Sequence, residues 1–250
     1  MSKKTNYSYI SIAFILLVFG IIFIPRIVDR ITNKDVKRSD ESRSKLASTE
    51  VNNNKPLMFI TQNGVNRKVP EFSFTNQDGK TINNKDFDGK VYLVEFFFTS
   101  CPTICPKMTK NLVNIQNNFQ SASNDFGIAS FSIAGSFDTP EVLKGYAEHY
   151  GVTNPNWHFL TGDQGVIFKL ANEGFYLHAA EDPLEDGGFS HSGNFALIDK
   201  NGFIRSRGDE YGNPKIYYRG VVSEEEKFDD DGEEEEVSIL KEDIAKLLKE

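Results

Sequence analysis

The sequence predicts an α/β domain built on a mixed β-sheet and joined to an N-terminal membrane-spanning helix. Three observations support this prediction: a near-continuous β-prone run at residues 90–98, a helical period directly after it, and an uncharged apolar stretch at residues 7–25. At 250 residues the chain has room for one sizeable domain with additional segments. Its formal net charge of −8 argues against nucleic acid as a partner.

The apolar stretch predicts a membrane anchor. Residues 7–25, YSYISIAFILLVFGIIFIP, approach the ~20 residues that a helix needs to span a bilayer. They follow a short tail (1–6), and the PRIVDR that comes next offers no small-x-small cleavage site. An uncleaved signal anchor is therefore favoured over a cleaved signal peptide. Residues 26–66 are polar and predict a linker between the membrane and the domain.

Two arguments give opposite orientations for this anchor. Lys and Arg are denser after the apolar stretch than before it, which by the positive-inside rule places the domain in the cytoplasm. An N-terminal signal anchor and the thiol chemistry described below favour the other side. We therefore expect a single-pass protein of the cytoplasmic membrane with its domain on the extracytoplasmic (periplasmic) side.

The domain expected at residues 67–250 alternates strands and helices. Asp78-Gly79 predicts the turn of a first hairpin, residues 90–98 and 126–133 predict strands, and residues 139–151 predict a helix. The remaining predicted elements are the helix from Ile104, the strand WHFLTG, the short helix DQGVIFKLANEG, the hairpin NFALIDKNGFIRSRG and the final helix VSILKEDIAKLLKE. This order of elements is typical of a thioredoxin-like domain.

An acidic insertion interrupts this pattern just before the final helix. Residues 223–236, SEEEKFDDDGEEEE, carry ten Asp or Glu and one Lys. Such a run predicts a solvated loop, with weak metal buffering or partner docking as alternative roles.

The chain has two cysteines, and both lie where the central strand ends. Cys101 is predicted in the loop after the strand and Cys105 in the first turn of the following helix. Free amides and the helix dipole stabilise a thiolate at such a position. The pair has three intervening residues instead of the C-x-x-C spacing of thioredoxin-type oxidoreductases, which permits a disulfide but also an ion between the sulfurs. Two soft sulfurs suit Cu(I). Two inert buried cysteines are the alternative.

One of four histidines is well placed to be a third ligand. His191 lies in GGFSHSGNFALID, a Gly-rich loop that enters a hairpin strand. In a thioredoxin-like fold this loop faces the cysteine helix, and Gly187, Gly188 and Gly193 let its backbone approach the sulfurs. We expect one other histidine to face solvent, one to pack in a strand and one to have no clear role; these are His149, His158 and His178, respectively.

Four stretches together resemble the SCO/SenC family: VYLVEFFFTSCPTICPKMT, DTPEVLKGYAEHYG, WHFLTG and HSGNFALIDKNG. The resemblance covers roughly residues 67–208. It implies a membrane-tethered, thioredoxin-like copper chaperone that assists assembly of the dinuclear copper centre of cytochrome c oxidase, with Cys101, Cys105 and His191 as copper ligands. The chain departs from the family at Ala134, where an aspartate is expected, but keeps Asp138-Thr139-Pro140.

The expected function is therefore delivery of one copper ion to the copper-bearing subunit of cytochrome c oxidase. Cu(I) is the expected cargo, and imidazole also suits Cu(II). A disulfide between the two cysteines would abolish the site, so a thioredoxin-like reductant and another copper chaperone are further candidate partners. The alternative is a thiol–disulfide reductase that keeps the copper-site cysteines of a partner reduced, which needs the cysteines but not the histidine. A thiol peroxidase is a third class.

Overall fold

The structure is a computed structural model that describes residue 19 and residues 56–185, 187–209 and 211–250. In this part of the chain no helix combines the length and the apolar character that crossing a bilayer requires. The predicted tail (1–6), the predicted anchor (7–25) except Phe19, and the predicted linker up to residue 55 lie outside the described residues.

The described residues from Pro56 onward form a chain of strands with four α-helices. The strands are β1 (Met58–Phe59), β2 (Thr61–Gln62), β3 (Val65–Asn66), β4 (Ser73–Asn76), β5 (Thr81–Asn83), β6 (Val91–Phe97), β7 (Phe126–Ser132), β8 (Trp157–Thr161), β9 (Ala179–Glu181), β10 (Phe189–His191), β11 (Asn194–Ile198), β12 (Ile204–Ser206) and β13 (Tyr218–Arg219). The α-helices are α1 (Ile104–Asn118), α2 (Pro140–Tyr150), α3 (Gln164–Lys169) and α4 (Val237–Lys249). Short 3₁₀ turns lie at Asn84–Phe87, Gln120–Ala122 and Gly135–Phe137, and a π-helical turn lies at Leu170–Phe175.

The main sheet is mixed, as the sequence predicts. Within the described residues its strand order is β1-β12-β11-β6-β7-β8-β4-β5, with β13 paired to β11. The strands β6, β7 and β8 are parallel, whereas β11 and β4 run antiparallel to their neighbours β6 and β8. Helices α1 and α2 make the two crossovers between the parallel strands, which gives a thioredoxin-like architecture.

The central strand β6 is covered on both faces. All seven of its residues are buried, as its near-continuous apolar sequence predicts. Neighbouring side chains point to opposite faces: Phe97 contacts Tyr146 of α2, whereas Phe96 contacts Phe175 of the π-helical turn. The predicted apolar face of α1 is confirmed, because Met108 and Leu112 are fully buried.

The folded unit begins earlier in the chain than the sequence analysis placed it. Met58 of β1 pairs with Ser206 of β12, so the sheet includes residues that the sequence assigns to the polar linker. Asn63-Gly64, both with positive φ, then form the turn between β2 and β3. The Asn-Gly pair was the sequence signal for this hairpin.

The acidic insertion is largely exposed, as expected of the solvated loop that the sequence predicts, but ion pairs also tie it to the domain. The carboxylate of Asp229 accepts hydrogen bonds from the backbone amides of Asp231 and Glu233 and so closes a turn. Arg219, which precedes the insertion, forms ion pairs with Asp229 at 3.3 Å and Glu233 at 3.0 Å. A cation outside the charged run therefore orders it, which a reading of the run alone does not reveal.

Candidate metal centre

The two cysteines lie at the carboxyl end of β6. Helix α1 begins at Ile104, so Cys105 lies in its first turn and Cys101 in the preceding loop, as predicted. Both thiols are free and buried, with exposed fractions of 7% for Cys101 and 1% for Cys105. The Sγ atom of Cys101 lies 3.6 Å from the hydroxyl oxygen of Thr103. The position of the pair at a helix N-terminus favours a thiolate.

The fold brings His191 to these thiols from a distant part of the chain. His191 ends β10, and its Nε2 lies 3.1 Å from the Sγ of Cys105. The ligand atoms of Cys101, Cys105 and His191 all lie within 4.8 Å of one another. The three residues that the sequence predicts for the site are therefore clustered in the structure.

The hydrogen bonds of His191 fix the role of each ring nitrogen. Its Nδ1 lies 3.1 Å from the carbonyl oxygen of Ser192, which can only accept. Nδ1 therefore carries the proton, and the lone pair of Nε2 points to the sulfur of Cys105. The ring of Phe98 packs edge-on against the imidazole, with centroids 5.8 Å apart. The imidazole is thus held in the tautomer and orientation that a metal ligand needs.

Glycine permits the close approach of the hairpin formed by β9 and β10, here called the histidine hairpin, as predicted for Gly187. Gly187 has a φ of +90°, and a Cβ atom there would lie 2.6 Å from the ring of Phe98. This contact places the hairpin against Phe98, which directly precedes the loop that carries Cys101.

Asp138 anchors the other side of that loop. Its carboxylate is buried and accepts hydrogen bonds from the Thr99 amide at 3.0 Å, from the Thr99 hydroxyl and from the Ser132 hydroxyl. The Ser132 hydroxyl oxygen in turn accepts from the amide of Ala134, the position at which the sequence resemblance leads us to expect an aspartate. The sequence analysis noted that Asp138 is kept but missed that it positions the cysteine loop.

The two thiols differ in acidity. Hydrogen bonding to Cys105 is the main cause that lowers the pKa of Cys101. Burial is the main cause that raises the pKa of Cys105. The pair therefore combines a thiolate at Cys101 with a protonated thiol at Cys105, which gives one ready nucleophile or ligand and one proton to be released.

A buried carboxyl group that the sequence analysis missed lies on the strand below the cysteines. Glu95 of β6 is fully buried and accepts a hydrogen bond of 2.7 Å from the Ser130 hydroxyl. The indole of Trp157 donates to the same hydroxyl, and the second oxygen of Glu95 has no partner among the described residues. Burial raises the pKa of Glu95 to about 7. The signal was a single acidic residue in the apolar run KVYLVEFFF.

The other histidines do not belong to the three-residue cluster. His149 is exposed, and His158 packs against Phe87 with its Nδ1 3.3 Å from Asn76, so both predictions are confirmed. The Nε2 of His178 lies 3.1 Å from the hydroxyl of Ser190. Across the described residues, Cys101, Cys105 and His191 form the group of His, Cys, Asp and Glu side chains with the spacing of a metal site.

Fold and site together define a class of protein: a thioredoxin-like domain that carries two sulfurs and one imidazole arranged for a soft metal ion. The SCO1/SenC family model matches residues 60–223, and the chain belongs to this family.

Known proteins of this family share both sequence and structure with the chain. The SCO1 protein homolog of Bacillus subtilis (strain 168) is 34% identical over 161 residues, which are 64% of this chain and 82% of that protein. BsSco, a member of the Sco family of cytochrome c oxidase assembly proteins in which a disulfide switch was identified, has a solved structure with a TM-score of 0.59 and 27% identity that covers 78% of this chain and 98% of its own. Bradyrhizobium japonicum ScoI with copper bound has a TM-score of 0.50 and 25% identity and covers 57% of this chain and 89% of its own.

Proposed function

We propose that this protein is a membrane-anchored copper chaperone that binds one copper ion through Cys101, Cys105 and His191 and delivers it to the dinuclear copper site of cytochrome c oxidase. The convergence of two sulfurs and one imidazole nitrogen within 4.8 Å carries the proposal. Copper as cargo is supported by the soft donor set and by the copper-bound ScoI relative. Delivery to the oxidase is supported by the assembly role of the family to which BsSco belongs.

The side chains can take up Cu(I) in a defined order. The Cys101 thiolate is the first donor, because hydrogen bonding to Cys105 keeps its pKa low. The Cys105 thiol then releases its proton as its sulfur binds, and the lone pair of His191 Nε2 completes the donor set. Three donors leave room for the thiolate of a partner to replace them one at a time, which transfers the ion without releasing it to solvent.

The anchor and the location belong to the same proposal. Residues 7–25 would hold the domain at the cytoplasmic membrane, where an oxidase subunit is also located, with the domain on the extracytoplasmic side. An oxidising compartment makes the redox state of the cysteines decisive. Formation of a Cys101–Cys105 disulfide removes two electrons and two protons, and an external dithiol reductant is needed to restore the site.

A second function is favoured by the acidity of the thiols. A thiolate at Cys101 beside a protonated Cys105 suits attack on the disulfide of a partner, followed by release of that partner as a dithiol. The protein would then be a thiol–disulfide reductase that keeps the copper-site cysteines of a partner reduced. This reaction does not require His191.

Anaerobic Cu(I) titration of the reduced full chain in detergent distinguishes the two functions. We expect one tight equivalent for the wild type, loss of this equivalent in Cys101→Ser and Cys105→Ser, and an affinity lowered more than about tenfold in His191→Ala. His178→Ala is the matched control and should bind as the wild type does. Weak binding that is indifferent to His191, with a cysteine pair that still reduces a partner disulfide, would leave the reductase.

A further inference from the structure

A segment late in the chain connects the two ligand-bearing parts of the candidate site. We call residues 217–226 the strap. Within it, β13 pairs with Asn194 and Phe195 of β11, directly after the histidine hairpin. The amide of Gly220 then donates to the carbonyl oxygen of Gly193 at 2.7 Å. The strap therefore contacts the backbone two residues beyond His191.

Two glycines allow this contact to be unusually close. A Cβ atom at Gly193 would lie 2.3 Å from a methyl carbon of Val221, and one at Gly220 would lie 2.5 Å from the ring of Phe195. A side chain at either position would displace the strap. The strap therefore packs tightly against the loop that follows His191. A displacement of the strap would also displace this loop.

Asn111 holds the other side of the strap. It lies on α1, six residues after Cys105, with an exposed fraction of 4%. Its amide nitrogen donates to the carbonyl oxygens of Gly220 at 2.9 Å and Val222 at 3.2 Å. One buried side-chain amide thus joins the cysteine helix to the strap at the residue that also contacts Gly193.

The remaining contacts between α1 and the strap are near the surface. Asn114 donates to the carboxylate of Glu224 at 3.0 Å, and Lys107 pairs with Glu226 at 3.2 Å. The side chains of the Lys107–Glu226 pair are 55% and 44% exposed, so water and salt weaken their attraction. The buried hydrogen bonds of Asn111 are therefore the stronger connection. If Asn111 is removed, the carbonyl oxygens of Gly220 and Val222 lose their donor, and water cannot replace it at a buried position.

We infer that Asn111 is a positioning residue that, through Gly220 and Gly193, sets the separation between Cys105 and His191. The inference rests on the proposed function, since this separation matters for a metal ion that both residues bind. Cys105 and His191 are 86 residues apart in the chain, and their 3.1 Å contact depends on how the helix and the hairpin are held relative to each other.

Loss of the Asn111 amide should weaken copper binding through the histidine. In Asn111→Ala the hairpin is free to move away from the helix, and we expect Cu(I) affinity to fall about 10- to 100-fold, the range found when a group that orients a metal ligand is removed. Asn114→Ala is the matched control, because it removes a bond between the same helix and the same strap at the surface. We expect its affinity to stay within about threefold of the wild type.

A double-mutant cycle on the full reduced chain tests the inference, with Cu(I) as the probe. Affinity is measured for the wild type, Asn111→Ala, His191→Ala and the double variant. We expect the loss caused by Asn111→Ala to disappear when His191 is already absent, because the two cysteines do not need the strap to meet each other. Asn111→Leu, which keeps about the size of the side chain and carries no hydrogen-bond donor, should give the same pattern if Asn111→Ala does not fold.

Two results would overturn the inference while the proposed function stands. One is an Asn111→Ala affinity equal to that of the wild type. The other is the same loss with and without His191, which would mean that Asn111 acts on the fold or on the cysteines. A wild-type chain that binds no Cu(I) would overturn the proposed function, and the inference with it.

Discussion

Two buried polar clusters of this domain differ in how their charges are matched. Between α4 and β12, the carboxylate of Asp243 is fully buried and accepts from Arg207 at 2.7 and 2.8 Å and from the Tyr218 hydroxyl at 2.7 Å. At the metal centre, the two buried thiols face each other and the imidazole of His191. The first cluster contains its own cation, whereas within the described residues no Lys or Arg is bonded to the second.

We infer from this difference that the first cluster stabilises the fold and that the second is available for metal binding. A buried carboxylate that is matched by a guanidinium contributes to the fold, and removal of one partner leaves an uncompensated buried charge. A group of sulfurs and an imidazole without a cation has its donor capacity free for an incoming metal ion. Variants of the two clusters should therefore change different properties of the protein.

The largest expected effect on stability comes from Asp243→Asn. Removal of the buried negative charge leaves the Arg207 guanidinium without its main partner, and we expect the free energy of unfolding to fall by about 3–5 kcal/mol. Urea denaturation measures this change. The control is Glu242→Gln, a half-exposed partner of the same arginine at 3.0 Å, which should cost less than about 1 kcal/mol. Equal losses in the two variants would contradict the comparison.

A buried group without a charged partner should show an intermediate effect that depends on pH. Burial raises the pKa of Glu95 from 4.5 to about 7, so the folded state keeps a proton that the unfolded state has already lost. Stability is therefore highest below pH 4.5 and decreases as the pH rises to about 7, by about 3 kcal/mol in total.

Glu95→Gln removes this dependence, because the amide carries no titratable proton. Urea denaturation at pH 5 and pH 8 should show that the variant gains stability relative to the wild type by up to about 3 kcal/mol between the two values. The exposed Glu71→Gln is the control and should show a constant difference. If the stability difference between Glu95→Gln and the wild type were also the same at pH 5 and pH 8, Glu95 would ionise as readily in the folded state as in the unfolded state.

A smaller change in stability is expected where function is most affected. Cys105→Ser should abolish tight Cu(I) binding, yet we expect it to lower the free energy of unfolding by less than about 1.5 kcal/mol, since a hydroxyl is close to the thiol in size and still provides one donor at this position. Urea denaturation in the absence of metal gives the value. A loss as large as that of Asp243→Asn would show that the thiols also hold the fold together.

The smallest effect is expected at the surface. Lys107→Ala breaks an ion pair of 3.2 Å with Glu226 in which both side chains are about half exposed, and we expect a loss of at most about 1 kcal/mol that disappears at high salt. Denaturation at low and high salt measures it. A larger loss that persists in salt would mean that this outer pair, and not Asn111, fastens the strap to α1.

The order of the elements and the place of the cysteines could be predicted from sequence because they depend on local patterns. The apolar run before Cys101 defines the central strand, and the period from Ile104 defines the helix that carries Cys105. Thr139 and Gly151 mark the ends of α2, where Thr139 caps the first turn and Gly151 adopts a φ of 74°. Each of these signals lies within a few residues of the structure it specifies.

Contacts between distant residues could not be predicted in this way. The sequence by itself determined the donor types, the strand–helix frame that presents Cys101 and Cys105, and the candidacy of His191. Tertiary structure alone decided that Nε2 faces the sulfur, that Arg219 pairs with the acidic insertion, and that Glu95 has no cationic partner among the described residues. The physical reason is that hydrogen bonds and ion pairs act over a few ångströms in space, and the chain brings such groups together from positions far apart in sequence.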